Sequence, residues 1–259
     1  MTFTCYSFDS VSSSMDVASD LYQKGISPPF SIYAKEQTQG RGRRGRTWES
    51  PQGNIYATFV LSCSPRLFHL SPFAAVLGLH CALLNVAGPA DPKTIHHPKR
   101  EDFHSLLTLK WPNDLLLNGK KIAGILLEVL EIKQDSVILS LGIGVNTSSS
   151  PLHVLYPTTN LKDEGVMIPN ESLMECLGHC LLDSFSFLEN GGWPSLRRKW
   201  ISLHDPKHSL IHLQQEEQRI KGTFMDLDTN GHLVLETDDG TIKSFATGDV
   251  FFAGSSASA

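Results

Sequence analysis

Residues 115–122 read "LLLNGKKI". An Asn-Gly pair between β-prone runs supplies two successive residues that tolerate positive φ. That is what a two-residue hairpin turn requires, because its twist matches the twist of the flanking strands. The segment therefore predicts two antiparallel strands, Leu115–Leu117 and Lys120–Ile122, about Asn118-Gly119. Other β-prone runs surround it: Leu106–Trp111, Gly124–Ile132 and "SVILSLGIGVN" at 136–146. Upstream, Phe3–Phe8, "FSIYA" at 30–34 and "NIYATFVLS" at 54–62 read the same way.

Helices fall between these strands without a steady βαβ rhythm. One begins near Met15, with Ser12, Ser13 and Ser14 in place to cap it. Residues 70–88 are apolar nearly all round, with Pro72 near the start and Gly88 at the end, as in a buried helix. Residues 171–189 and 193–203 read as two more helices. Residues 89–105 hold three prolines and read as a loop carrying His96 and His97. From about residue 208 only short strands remain, with turns at Asn230-Gly231 and Asp239-Gly240. The expected fold is α+β: a mixed, largely antiparallel sheet with flanking helices, then a small β-barrel. The expected domains are 1–206 and 207–254, with 254–259 a frayed tail.

The chain of 259 residues carries a net charge of −5, which argues against a general DNA or anionic-membrane footprint. No signal peptide is evident, and no apolar run is read as a membrane span. Five cysteines fit reduced thiols in a cytoplasm. Cys176 and Cys180 lie one helical turn apart and read as buried thiols, because no second pair sits at zinc spacing.

Against this acidic background, residues 40–47 read "GRGRRGRT", three glycines and four arginines. The run nearly spells a P-loop, but Arg46 stands where lysine belongs. The Pro51 and Gly53 that follow break the helix such a loop needs. A nucleic-acid contact needs basic charge spread over a face with aromatics, and here it is confined. A merely solvated loop is also open. The remaining reading is a lid over an anionic centre, with backbone N–H groups and guanidiniums as its grip. Two further motifs favour the lid. Lys110 ends a strand before a Trp-Pro turn, followed by Asn113 and Asp114, and a buried strand seldom ends in lysine without an anionic partner. In "GIGVN", Gly142 and Gly144 leave room against a strand, and Asn146 offers an amide.

"EQTQGRGRRGRTW", "KWPNDLLLNGKKIAGILLE" and "LGIGVN", in this order, resemble the biotin protein ligases, the biotin–[acetyl-CoA-carboxylase] ligase family. The resemblance covers roughly residues 8–200, and the C-terminal strands fit that family's SH3-like domain. It implies a class II synthetase-like catalytic domain and a monofunctional enzyme without a DNA-binding domain. It implies ATP and Mg²⁺ as requirements, biotin as substrate, and a biotin carboxyl carrier domain as partner; a homodimer stays open. By the same resemblance, biotin is read by Ser13, Ser14, Gln37, Gly40, Arg41, Gly42, Arg43, Lys110, Gly142 and Gly144. The adenylate side is given to Arg43, Arg46, Trp48, Asn113 and Asn146, with Lys110 and Arg43 catalytic. Asn113 and Asp114 are candidates for metal or phosphate contacts. The family's D-S-T-N is here Ser12-Ser13-Ser14-Met15, which leaves two hydroxyls and removes the asparagine. The alternatives are lipoate or octanoate transfer on the same fold, and an Arg-rich loop that binds RNA.

Overall fold

A computed structural model describes residues 2–87, 100–152, 154, 156–204, 210–215 and 217–252. β-branched and aromatic runs form a seven-stranded sheet: β1 (Thr4–Phe8), β2 (Phe30–Ala34), β3 (Ile55–Cys63), β4 (Leu107–Lys110), β5 (Asp114–Leu117), β6 (Lys120–Ile132) and β7 (Val137–Val145). Their spatial order is β1-β2-β3-β7-β6-β5-β4. Only β1 and β2 run parallel; the other neighbours are antiparallel.

The alternation of β7 explains how this sheet is used. Leu139, Leu141, Ile143 and Val145 join one large core with residues of α2 (Ser71–Val86), α4 (Asn170–Phe187) and α5 (Trp193–Leu203). On the other face, α1 (Ser14–Gln23) closes a smaller cluster in which Ala18 meets Phe30, Ile32, Val60 and Ile138. The stretch Phe68–Val86 is apolar enough to pass as a membrane span, with mean hydropathy 1.4, yet it is the central helix of the larger core. The buried helix expected over 70–88 is therefore present as Ser71–Val86, with Pro72 in its first turn.

The hairpin expected at Asn118-Gly119 is present, with φ of 53° and 73° at the two residues. Beyond it, the two runs read separately from 120 and 124 are one strand, β6, whose register against β5 shifts between Leu115 and Leu116. A bulge absorbs the extra residue, so Gly124 does not interrupt the strand. Arg100–Leu106 forms the helix α3, against the expectation of a loop to 105 and a strand from Leu106, so β4 starts one residue later. Residues 89–99, with His96 and His97, lie outside the described residues, as do the tail and the expected domain boundary near 206. Ser13 occupies the N-cap position of α1, but its side chain makes no capping hydrogen bond.

The C-terminal strands are β8 (Leu210–Gln215), β9 (Gln218–Leu227), β10 (Leu233–Thr237), β11 (Ile242–Phe245) and β12 (Asp249–Phe252). They make a five-stranded antiparallel sheet ordered β11-β10-β9-β8-β12. Gly231 and Gly240 turn with φ of 77° each, where the Asn-Gly and Asp-Gly pairs placed them. This unit leans on the larger one: Trp111 Nε1 donates to the Gly231 carbonyl at 3.0 Å, and Arg197 pairs with Asp226.

Candidate active site

On the α1 side of the large sheet lies a cavity of about 1010 Å³. Its walls come from the α1 start, the arginine loop, β4 to β7, the segment after β7 and β12. Of the residues named from sequence, Ser13, Ser14, Gln37, Arg41, Gly42, Arg43, Arg46, Trp48, Lys110, Asn113, Asp114, Gly142, Gly144 and Asn146 all reach it. Gly40 does not. It lies behind the wall, where a Cβ would come within 2.4 Å of the Trp48 carbonyl oxygen, so its role is close backbone packing.

One part of the wall is neutral and hydrogen-bonded. The Ser14 amide and hydroxyl donate to Gln37 Oε1 at 2.8 and 3.0 Å. Gln37 Nε2 donates to Ser50 Oγ at 3.0 Å, and Thr58 Oγ1 donates to Ser14 Oγ at 2.8 Å. This network fixes Gln37 across the chain from α1 and orients an amide for a polar, uncharged ligand group.

Another part is strongly charged. Lys110 Nζ is buried, 3.0 Å from Asp114 Oδ2, 3.4 Å from the Val250 carbonyl oxygen and 3.4 Å from the centroid of Tyr156. Burial pulls the Lys110 pKa down to about 8, only partly opposed by Asp114. Lys121 Nζ reaches Asp114 Oδ1 at 2.7 Å. Burial pushes the Asp114 carboxyl up, but Lys121 and Lys110 together outweigh this and hold it at about 2. Two ammoniums thus share one carboxylate, leaving net positive charge in a low-dielectric wall.

The arginine loop covers this region. Gly42 N–H donates to the Arg46 carbonyl at 2.7 Å, and Arg41 bridges to Thr47. Arg44 and Gly45 turn the loop with φ of 55° and 71°. β3, not a helix, follows, so the loop is not a P-loop. The four guanidiniums take three courses. Arg43 donates to Asn113 Oδ1 at 3.3 Å, and burial lowers its pKa. Arg46 and Arg44 pair with Asp249 of β12. Arg41 turns outward to Asp16 at 2.6 Å and Glu128 at 3.4 Å, so its side chain is committed to protein carboxylates and only its backbone faces the cavity freely.

The glycines of β7 meet the chain's own side chains. A Cβ at Gly142 would lie 2.6 Å from Met15 Sδ, and one at Gly144 would lie 2.5 Å from Trp48 Cε2. The room expected there for a ligand is occupied by Met15 and Trp48 in this structure. Trp48 is further held under Lys121, whose Nζ is 5.2 Å from its ring. Asn146 is pinned, with Nδ2 donating to the Thr159 carbonyl at 3.1 Å.

Sequence reasoning missed Lys121, Tyr156, Asp249 and Val250. Lys121 had a signal, a second lysine beside a hairpin turn leading into a buried strand. Tyr156 and β12 had none, since nothing local ties them to residues a hundred positions away.

A family model described as the biotin/lipoate A/B protein ligase family matches residues 7–146, and one described as the biotin protein ligase C-terminal domain matches residues 211–253. The chain belongs to the biotin/lipoate A/B protein ligase family. A biotin–[acetyl-CoA-carboxylase] ligase of Paracoccus denitrificans is 30% identical over 89% of this chain and 93% of its own. A Leishmania major biotin protein ligase, solved in complex with biotinyl-5-AMP, superposes with TM-score 0.68 at 27% identity, covering 94% of this chain and 99% of that one. An Aquifex aeolicus biotin protein ligase solved with biotin and ATP shares the fold at TM-score 0.73 and 23% identity, covering 96% of this chain and 98% of that one. The chain thus joins a ligase-like mixed-sheet catalytic domain to the SH3-like C-terminal unit of that family.

Proposed function

We infer that this chain is a biotin–[acetyl-CoA-carboxylase] ligase, which activates biotin with ATP and passes it to a lysine of a carrier domain. The observation that carries this reading is one cavity containing both the neutral Ser14–Gln37 network and the cations Lys110, Lys121, Arg43 and Arg46. A ureido ring suits the first, and a carboxylate meeting a phosphate needs the second.

In the first step a biotin carboxylate oxygen attacks the α-phosphorus of ATP, the bond to the β-phosphate oxygen breaks, and pyrophosphate leaves. Two unit negative charges at about 4 Å repel by roughly 4 kcal/mol at an effective dielectric near 20. Lys110 is the bridging cation, since a compact ammonium can serve an oxygen of each partner. Lys121 supports it from the far side of Asp114, and Arg43 and Arg46 take phosphate oxygens from the loop. In the second step a carrier lysine attacks the acyl carbon. The carbon–oxygen bond to phosphate breaks, AMP leaves with the electron pair, and the amine's proton passes to solvent. Between the steps the loop keeps water from the mixed anhydride.

Magnesium does not fit as a resident ion. Asp114 is taken by two lysines and Asp249 by two arginines, and among the described residues no group of three metal-ligating side chains exists. Mg²⁺ would accompany the triphosphate as its counter-ion and supply charge neutralisation from there.

The test is biotin-dependent exchange of pyrophosphate into ATP with wild type and Lys110→Ala. Exchange in the first and its loss in the second is expected. Exchange with lipoate or octanoate in place of biotin would keep the fold and overturn the substrate.

A further inference from the structure

Three consecutive residues of β12 each touch a different part of the charged site. The Asp249 carboxylate receives Arg46 Nη2, and lies 3.6 Å from Arg44 Nη1. The Val250 carbonyl accepts from Lys110 Nζ at 3.4 Å. Phe251 stacks on Tyr156, with centroids 4.6 Å apart and planes at 21°, and Tyr156 is the ring beneath the Lys110 ammonium. β12 belongs to the small sheet, where it pairs with β8 from Asp249–Gln214 to Phe252–Ile211.

We propose that β12 is the strut that sets the cations of the site, and that Asp249 is a positioning residue holding the arginine loop closed over the cavity. The proposal rests on the adenylating function inferred above.

Arg44 sits at φ of 55° and is followed by Gly45 at 71°, so the loop crosses a conformation that most residues avoid and needs an external hold. The loop's own hydrogen bonds are few: Gly42 to Arg46, Arg46 to Arg43 and Trp48 to Gly40. Its side-chain anchor on β12 is a carboxylate only 15% exposed, where a charge-assisted pair is screened less than at a surface. Asp249 gives Arg46 an anionic partner of the kind a nucleotide phosphate also offers. An incoming nucleotide exchanges one anion for another on Arg46, while Arg44 keeps the loop attached. The small domain thereby aims the guanidiniums before the substrate arrives, which lowers the ordering cost at binding.

The test uses the full-length chain with Asp249→Asn, Asp249→Glu and Arg44→Gln. Amide hydrogen exchange over residues 40–47 is measured without ligands, beside thermal stability and the pyrophosphate-exchange constants. Asp249→Asn is expected to speed loop exchange about tenfold, to raise KM for ATP by about the same factor and to leave KM for biotin within about twofold. Asp249→Glu is expected to restore most of both. Arg44→Gln approaches the same pair from the loop side, so a folding defect in the small sheet cannot explain a shared result. Unchanged loop exchange in Asp249→Asn would overturn the proposal, as would equal changes in both KM values. Loop exchange that responds as expected in a protein that never exchanges pyrophosphate would retain the strut and sink the adenylation reading instead.

Discussion

Lys110 and Asp114 form an ion pair of 3.0 Å across the Trp-Pro turn between β4 and β5, and both are almost fully enclosed. The pair is not balanced: burial costs the ammonium more than Asp114 returns, and the pKa falls to about 8 from its ordinary 10.5.

Activity should therefore decline as pH rises through about 8, because Lys110 loses the charge that bridges the two anions. Stability moves the other way. The unfolded chain still binds this proton between about 8 and 10.5, so the Lys110 contribution favours the fold more as pH rises there. Pyrophosphate exchange and thermal melting measured across that range should diverge. Asp114→Asn removes the opposing charge and should move the alkaline limb of the rate profile to lower pH. An unmoved limb would assign it to another group.

Arg43→Gly should loosen retention of the acyl-adenylate. The expected result is more free biotinyl-AMP released per carrier modified, by about tenfold if one charge-assisted contact is lost. Single-turnover reactions that separate AMP-ester from labelled carrier measure this ratio. Unchanged release together with unchanged turnover would remove Arg43 from the site.

Gly144→Ala and Gly142→Ala should differ in severity, although each added Cβ meets a neighbour at 2.5 to 2.6 Å. At 144 the neighbour is the rigid indole of Trp48, and overpacking against it costs about 1–3 kcal/mol. At 142 it is the flexible thioether of Met15, which can rotate away. Melting temperatures and KM for ATP should fall out in that order, with Gly144→Ala the more damaging on both.

Asn54→Ala should loosen the chain that follows β7. Asn54 Oδ1 accepts from the amides of Thr147, Ser148 and Ser149 at 3.0, 2.9 and 3.1 Å, in a buried position. Losing this hub is expected to lower stability by about 3 kcal/mol. Hydrogen exchange over residues 147–152 should rise before the sheet itself opens.

The large sheet was legible wherever the chain carries its own punctuation. Asn118-Gly119 fixed a hairpin, and Pro72 marked the start of a helix, because backbone chemistry acts within a few residues. Lys110 and Gly142 stood out because lysine before a turn and glycine in a strand are costly without a purpose, whereas Trp48 came from the family resemblance; the structure brings them to one cavity. Tyr156, Asp249 and Val250 were not legible, since their roles come from a tertiary contact between two sheets. Gly40 and the Arg41 side chain show the reverse limit, while the Arg41 backbone does reach the cavity. The family resemblance gave both a ligand role, and only the folded chain shows that Gly40 packs on a carbonyl and the Arg41 side chain pairs with Asp16 and Glu128.

β7 divides its residues by parity: Leu139, Leu141, Ile143 and Val145 face the helices, while Gly142 and Gly144 face Met15 and Trp48. Harmful variants along this one strand should therefore sort into two kinds of defect. Odd positions should yield proteins that are scarce in the cell yet active per molecule, and respond to lower growth temperature or added chaperone. Gly142 and Gly144 should yield variants whose activity stays impaired under the same relief, because the added Cβ displaces Met15 or Trp48 in the cavity wall. Over residues 141–145 the residue number would then tell a geneticist whether a lesion concerns supply alone or performance as well.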